Sequence, residues 1–222
     1  MCSAAIFKLK STLMANSSLI NMAKSLLLND KVIALPTDTV YGLAASIDST
    51  KGINRLYEIK SRDHNNPLAI CLADVDDIAE YAKITIPKSL LYQLLPGAIT
   101  VIFERTSKLN HSLNPGTKLV AIRIPNNEFV RELCRQSVPI ALTSANISSE
   151  PSCLNIQAFE HLWPMIDGIF DGGQLGQQDP KGLGSTIVDF STEGYYRIKR
   201  DGCVYKSTVQ LIESYHLKRL TS

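Results

Sequence analysis

Residues 31–43 read KVIALPTDTVYGL and combine an apolar run with a dense group of polar side chains. The apolar run covers residues 31–35 and ends at Pro36. A continuous apolar run is typical of a strand that is buried on both faces of a sheet. Two threonine hydroxyls, one carboxylate and a tyrosine ring follow directly. Because ligands in α/β proteins bind where strands end, the segment predicts a buried strand followed by a ligand-contacting turn. A plain turn that caps a helix is the alternative.

Further short apolar runs predict strands along the rest of the chain. They cover residues 67–72, 98–103, 119–124, 139–142, 166–170, 186–190 and 195–198. Apolar residues at helical spacing predict helices between several of these runs. The helical patterns cover residues 19–27, 53–60, 75–82, 88–95, 127–136 and 207–215. Strands that alternate with helices indicate an α/β fold, and the strand pairs without a helix between them predict a mixed, twisted sheet covered by helices.

One domain accounts for this organisation, since 222 residues and 24.5 kDa suit a single large domain and no linker or repeat divides the chain. We expect this domain to span residues 17–215. Residues 1–16 are predicted to be a flexible N-terminus or a short targeting segment, and residues 216–222 a tail. The stretch 171–184 is rich in glycine and polar residues, and its length predicts a mobile or binding loop.

The composition excludes several classes of protein. With 23 basic and 21 acidic residues, the formal net charge is +2, which argues against a strongly cationic nucleic-acid binder but permits a local basic pocket. The five cysteines form no CxxC pair and the histidines show no HExxH spacing, so neither a disulfide framework nor a zinc site is expected. No apolar run approaches the roughly 20 residues of a membrane helix.

The first 29 residues contain lysines but no acidic residue. This composition leaves a mitochondrial presequence open beside a cytoplasmic location.

Basic side chains at apolar positions point to an anionic ligand. Lys60 lies on the apolar stripe of a predicted helix, and an inward ammonium beside Arg62 suits a phosphate or a carboxylate. Complementing the helix dipole is the alternative role. Arg123 stands inside an apolar strand, where a guanidinium needs an anionic partner. A structural carboxylate elsewhere in the chain and a bound ligand would both supply one.

Two more polar groups follow predicted strands. The segment TSAN at 143–146 offers hydroxyls and an amide after the strand at 139–142, with helix capping as the alternative. The segment GSTIVD at 184–189 precedes Arg200 by one predicted hairpin.

Together these groups resemble the YrdC/Sua family of threonylcarbamoyl-AMP synthases across roughly residues 17–215. The family pattern has a PTDTxYGL turn, a KxR motif before an NPL strand, a PGxxT segment, an RxP strand, an SxN motif, an STxxD segment and an arginine before a glycine. In this sequence the turn is residues 36–43, the KxR motif is Lys60 and Arg62, and the NPL segment is residues 66–68. The PGxxT segment is residues 96–100, and Arg123 is the arginine of the RxP strand. Ser144 and Asn146 form the SxN motif, residues 185–189 the STxxD segment, and Arg200 is the arginine before a glycine. The amino-acid sequence of several of these segments is most similar to that of the animal YrdC proteins. Asp63 stands where many microbial members have proline, and Cys71 stands where several have histidine. The separate C-terminal domain of the longer Sua-type members is not expected in this chain.

The resemblance implies a nucleotidyltransferase with a YrdC-like fold. L-threonine and bicarbonate form a carbamate, which attacks the α-phosphorus of ATP and releases pyrophosphate, with Mg²⁺ accompanying the ATP. The product serves tRNA t6A modification through a threonylcarbamoyl transferase complex (KEOPS or its mitochondrial counterpart). An RNA-binding YrdC module without adenylate-forming activity is the alternative, and a weak contact with RNA or tRNA is compatible with both.

The resemblance also implies the roles of individual residues, and none of them is a metal ligand. Lys60 and Arg62 are implied to be catalytic. L-threonine is implied to bind Thr39, Arg123, Thr143 and Ser185. ATP is implied to bind Lys60, Arg62, Asn66, Ser144, Asn146 and Arg200. Tyr41 is expected to form a wall of the pocket.

Overall fold

The computed structural model describes residues 4–61, 67–147, 150–177 and 179–220. The predictions made for Arg62, Asp63 and Asn66 fall outside these residues.

The described residues alternate between strands and helices as the sequence predicts. The strands are β1 (Ala5–Lys8), β2 (Ile33–Pro36), β3 (Tyr41–Ser46), β4 (Ala69–Cys71), β5 (Ala82–Lys83), β6 (Ile99–Arg105), β7 (Leu119–Arg123), β8 (Ile140–Ser144), β9 (Gly168–Asp171), β10 (Thr186–Asp189), β11 (Tyr195–Arg200) and β12 (Lys218–Arg219). The helices are α1 (Ser17–Leu28), α2 (Thr50–Ile59), α3 (Ile78–Tyr81), α4 (Lys88–Leu94), α5 (Glu128–Gln136) and α6 (Tyr205–Ser214). Short 3-10 helices cover Met14–Asn16, Val75–Asp77 and Gln157–Met165.

The strands form one mixed sheet, which confirms the predicted fold class. Their order is β1-β9-β2-β3-β8-β4-β7-β6-β10-β11-β12, with β5 paired to β6 beside this path. The pairs β1–β9, β2–β9, β4–β7, β6–β10 and β11–β12 are parallel, and the remaining pairs are antiparallel. Strands distant in sequence are therefore neighbours in the middle of the sheet.

Apolar side chains bury both faces of this sheet. One cluster packs α1 and α5 against β2 through residues such as Leu27, Leu133 and Ile33. The other cluster packs α2 against the opposite face, where Leu56 and Ala34 are completely buried. Because both faces of β2 are covered, its residues are apolar without alternation.

The sheet extends beyond residues 17–215 at both ends. Residues 5–8, assigned to a flexible N-terminus, form β1 at one edge of the sheet in parallel with β9. Residues 218–219, assigned to a tail, form β12 beside β11. Strand β1 has four residues and β12 two, which is too short for a periodic pattern, although Phe7 of β1 packs against Phe170. The Asn16 side chain, directly before α1, makes no capping bond and pairs its amide with the backbone of Lys10.

The turn around residue 38 joins β2 to β3 in a β-hairpin and does not lead to a helix. Strand β3 runs back along β2 in antiparallel pairing from Tyr41 onward. The Thr37 hydroxyl donates to the Val40 carbonyl at 2.7 Å and accepts from the Thr39 amide at 3.1 Å. One side chain thus replaces backbone bonds in the turn, as threonine can do.

Candidate functional site

A cavity of about 560 Å³ crosses one face of the sheet. It touches β3, β8, β4, β7, β6, β10 and β11, which are neighbours in that order. Its lining comprises Thr37, Val40, Tyr41, Gly42, Pro67, Leu68, Ala69, Thr100, Ile102, Ala121, Arg123, Leu142, Thr143, Ser144, Ser152, Gly184, Ser185, Ile187, Lys199 and Arg200. The lining combines an apolar floor with hydroxyls and three cations, as expected for a site that binds a small anionic molecule.

The cavity brings together residues from separate parts of the predicted site. Five predicted residues line it, namely Arg123, Thr143, Ser144, Ser185 and Arg200. Three others, Thr39, Lys60 and Asn146, are buried behind the lining. The predicted Tyr41 wall is present. Five of the eight described site residues therefore share one cavity, and the binding roles implied for all eight stay predictions.

Arg123 reaches the cavity from the end of β7 and is almost completely buried. Its Nη2 donates to Asp38 Oδ1 at 2.6 Å and to Thr39 Oγ1 at 2.8 Å. The structural carboxylate considered from the sequence is thus Asp38. The guanidinium nevertheless lines the cavity, and its Nε has no hydrogen-bond partner among the described residues. Arg123 therefore brings a positive charge to the cavity, while Asp38 offsets the cost of burying that charge.

Thr39 does not line the cavity, and its implied contact with L-threonine stays a prediction. Its side chain is completely buried, and its hydroxyl lies 3.2 Å from that of Thr37. Since the same hydroxyl accepts a bond from Arg123, Thr39 orients the guanidinium from behind. Thr37, which the prediction did not include, lines the cavity instead. The bends of the turn, rather than the alternation of a strand, place Thr37 in the lining and Thr39 outside it, and this turn exists because β2 pairs with β3.

Lys60, directly after α2, points inward as its place on the apolar stripe predicted. Its Nζ donates to the Ser144 carbonyl at 2.7 Å and to Asn146 Oδ1 at 3.1 Å, and it also contacts the Asn146 carbonyl. The ammonium is 2% exposed and does not line the cavity. Lys60 therefore fastens the end of β8, from which the Ser144 side chain reaches the cavity.

Ser185 and Arg200 form the opposite side of the cavity. The Arg200 guanidinium donates to the Ser185 carbonyl at 2.8 Å and to its hydroxyl at 3.0 Å. The Ser185 hydroxyl also lies 2.8 Å from that of Thr100, a lining residue that the prediction missed although it ends the PGxxT segment. These contacts join the starts of β6 and β10 to the end of β11.

The predicted mobile or binding loop at 171–184 is anchored at both ends. The Tyr41 hydroxyl lies 2.8 Å from the Gly173 carbonyl and accepts a bond from the Gly172 amide at 2.9 Å. Burial, followed by the charge of Asp171, raises the pKa of Tyr41, so this hydroxyl stays protonated. At the other end, the buried Asp179 carboxylate accepts bonds from the Leu183 and Gly184 amides at 2.9 and 2.6 Å. Gly184 is the described loop residue that lines the cavity.

Cys71, one of the two departures from the family pattern, lies outside the cavity lining. Its side chain is completely buried in β4, and its carbonyl accepts a weak bond from the Cys134 thiol at 3.6 Å. Burial raises the pKa of the Cys71 thiol to about 12, so the thiol stays neutral. A role for Cys71 in binding a ligand has no support in this arrangement.

Among the described residues, no group of three or more His, Cys, Asp or Glu side chains is placed to hold a metal ion. A search of the same residues finds no helix whose length and apolar character would let it span a membrane.

Comparison with known proteins points to one family. The model of the Sua5_yciO_yrdC family, described as "Telomere recombination", matches residues 25–202. The threonylcarbamoyl-AMP synthase of Bos taurus is 45% identical over 189 residues, which cover 84% of this chain and 68% of that protein. The synthase of Homo sapiens is 44% identical over 185 residues, which cover 82% of this chain and 66% of that protein. The chain thus spans about two thirds of the length of these relatives.

The fold also matches a solved structure of this group. The crystal structure of Pyrococcus abyssi Sua5 complexed with L-threonine superposes with a TM-score of 0.82 at 27% sequence identity. The match covers 99% of this chain and 63% of that chain.

Proposed function

Since the chain belongs to the Sua5/YciO/YrdC family, we propose that it is an L-threonylcarbamoyladenylate synthase, which makes threonylcarbamoyl-AMP and pyrophosphate from L-threonine, bicarbonate and ATP. The observation that carries this proposal is the placement of Arg123, Lys199 and Arg200 around one cavity that is also lined by hydroxyls. Three reactants that carry carboxylate, carbonate and phosphate groups require such a set of donors.

L-threonine fits the side of the cavity that contains Arg123. Its guanidinium would bind the carboxylate, with the hydroxyls of Thr37 and Thr143 nearby in the lining. The amine of L-threonine adds to bicarbonate, and water leaves as the carbamate forms. This half-reaction requires mainly that two anions be held together, which the cations make possible.

The nucleotide would contact Ser144 and Arg200, which line the cavity from β8 and β11. A carbamate oxygen attacks the α-phosphorus of ATP, the bond from that phosphorus to the pyrophosphate oxygen breaks, and pyrophosphate leaves. No protein nucleophile is needed, so the contribution of the chain is positioning and stabilisation of negative charge. Lys60 supports this by holding the backbone at Ser144 and Asn146.

Mg²⁺ is expected to arrive bound to the phosphates of ATP. The donors that line the cavity are hydroxyls, amides and cations rather than carboxylates, which are the ligands that Mg²⁺ prefers in proteins. The ion would neutralise charge on the phosphate oxygens, and Arg200 would complement it from the protein side.

The role of the product and the location of the protein belong to the same proposal. We expect threonylcarbamoyl-AMP to pass to a threonylcarbamoyl transferase complex that modifies tRNA, in the cytoplasm or, where a presequence directs it, in the mitochondrion.

Incubation of the purified chain with ATP, bicarbonate and one amino acid at a time tests the proposal. Mass spectrometry should detect threonylcarbamoyl-AMP with L-threonine, and omission of bicarbonate should abolish it. Absence of this product under conditions where the chain is folded would refute the proposed activity. RNA binding that weakens steeply with salt, without ATP turnover, would favour the RNA-binding alternative.

A further inference from the structure

Strand β11 contains a bulge at the cavity. Its pairing with β10 joins Val188 to Ile198, but the next pair joins Ile187 to Arg200 rather than to Lys199. Two consecutive residues of β11 therefore oppose the single residue Ile187, which is the defining property of a β-bulge. Ile187 itself lines the cavity.

The bulge changes which side chains of β11 face the cavity. In a regular strand, successive side chains point to opposite faces, whereas the extra residue of a bulge is redirected. Both residues line the cavity in this structure. Bulges often occur next to functional sites, where they redirect a side chain.

Lys199 differs from the other cations of the cavity in its contacts. Arg123 is paired with Asp38, and Arg200 donates to two oxygens of Ser185. Lys199 is exposed, and its side chain makes no hydrogen bond or ion pair with any part of the chain that the structure describes. An ammonium beside a cavity and without a protein partner remains available to an anion.

We infer that Lys199 binds the polyphosphate of a nucleoside triphosphate and the pyrophosphate released from it. The inference rests on the proposed function for the identity of the nucleotide, but the contact itself requires only a polyphosphate in the cavity. The polyphosphate of ATP and the released pyrophosphate carry several negative charges on adjacent oxygens, and a compact ammonium on a flexible stem suits these oxygens better than it suits a planar carboxylate. The bulge thus supplies a second cation beside Arg200.

Direct binding measurements test this assignment without turnover. Titration calorimetry with pyrophosphate, ATP and L-threonine would compare the wild-type chain with Lys199→Met, Lys199→Arg and Lys206→Met. Lys206 is an exposed lysine of α6 outside the cavity lining, so its variant carries the same loss of charge. We expect Lys199→Met to weaken binding of pyrophosphate and ATP about tenfold, since hydrogen bonds to charged groups have this size.

The remaining measurements show whether the loss of affinity is specific to Lys199 and to polyphosphate. L-threonine should bind Lys199→Met as it binds the wild-type chain, Lys199→Arg should retain most of the affinity for pyrophosphate, and Lys206→Met should behave as wild type. Unchanged pyrophosphate affinity in Lys199→Met, or an equal loss in Lys206→Met, would overturn the assignment. An equal loss of L-threonine affinity would also overturn it, because it would show damage to the whole cavity.

The two proposals fail separately. If the wild-type chain binds pyrophosphate through Lys199 but forms no threonylcarbamoyl-AMP, the proposed function fails and the polyphosphate contact stands. If the product forms and Lys199→Met binds pyrophosphate normally, the contact fails and the proposed function stands.

Discussion

Arg123 Nη2 lies 2.6 Å from Asp38 Oδ1, and this ion pair joins the end of β7 to the turn between β2 and β3. The two residues are 85 positions apart in the sequence. Their side chains are 8% and 2% exposed, so neither charge has water as a substitute partner. The pair both stabilises the floor of the cavity and orients the cation that would bind the carboxylate of L-threonine.

Removing either partner of this pair should destabilise the protein strongly. We expect Asp38→Asn and Arg123→Met each to lower the free energy of unfolding by about 3–5 kcal/mol, because the remaining charge is left buried without compensation. The double variant should lose clearly less than the sum of the single variants. Urea unfolding of the four proteins measures the cycle, and additive losses would show that the two side chains do not act as a pair.

Lys60→Met should reduce both stability and activity. The change removes the donor that holds the oxygens of Ser144 and Asn146, and unpaired buried acceptors cost about 1–3 kcal/mol each. We expect product formation to fall roughly a hundredfold at a temperature where the variant is fully folded. Pyrophosphate release with L-threonine and bicarbonate measures this rate.

Lys51→Met is the matched control, since Lys51 lies on α2 with an exposed side chain. It should leave stability within about 0.5 kcal/mol of wild type. A near-normal rate in Lys60→Met would contradict the positioning role. Arg62→Ala is expected from the family resemblance to be impaired in the same assay.

Gly202→Ala should separate β11 from β10 at the cavity. A Cβ at Gly202 would lie 2.3 Å from the backbone of Ser185 and Thr186, and backbone atoms cannot move aside cheaply. We expect a loss of about 1–3 kcal/mol or more in unfolding free energy, together with weaker ATP binding, because Arg200 loses its position on Ser185. Gly97→Ala is the control, since a Cβ there meets its nearest atom at 3.8 Å. Equal stability of the two variants would refute the steric argument.

The stability contributed by Asp167 should depend on pH. Burial of its carboxylate disfavours ionisation, but the Val32 amide and the Arg55 guanidinium, bound at 2.9 and 2.6 Å, outweigh burial and lower its pKa. A pKa that is lower in the folded than in the unfolded state adds stability above the unfolded value of about 3.9. This contribution is lost as the pH falls through the folded pKa.

We therefore expect Asp167→Asn to be less stable than wild type at pH 7, with a difference that narrows below about pH 3.9. Urea unfolding across this range measures the two curves. Glu193→Gln, at an exposed position before β11, should follow the wild-type curve throughout. A constant difference between Asp167→Asn and wild type would show that the carboxylate charge is not responsible.

Local sequence patterns were sufficient to identify most of the secondary structure and the residue types of the site. Helices α2 and α5 follow apolar spacing and begin after Ser49 and Asn127, whose side chains accept the capping bonds. The buried strands are apolar because they are covered on both faces, a property visible in each segment alone. The family motifs identified Arg123, Ser144, Ser185 and Arg200 as site residues, and all four line one cavity.

Contacts between distant segments could not be read from those patterns. Asp38 as the partner of Arg123, Thr39 behind the guanidinium and Lys60 beneath Asn146 all depend on which strands become neighbours. Strand β1 and strand β12 went unrecognised because backbone pairing at a sheet edge requires no particular side chains.

The sequence by itself determined that this chain forms a mixed α/β sheet and that basic and hydroxyl side chains follow its strands, because burial and periodicity are local properties of each segment. Only the tertiary structure decided which of those side chains share a cavity. Lys199 shows the reason most directly, since its orientation results from a mismatch between β11 and the partner strand β10 rather than from the residues around it.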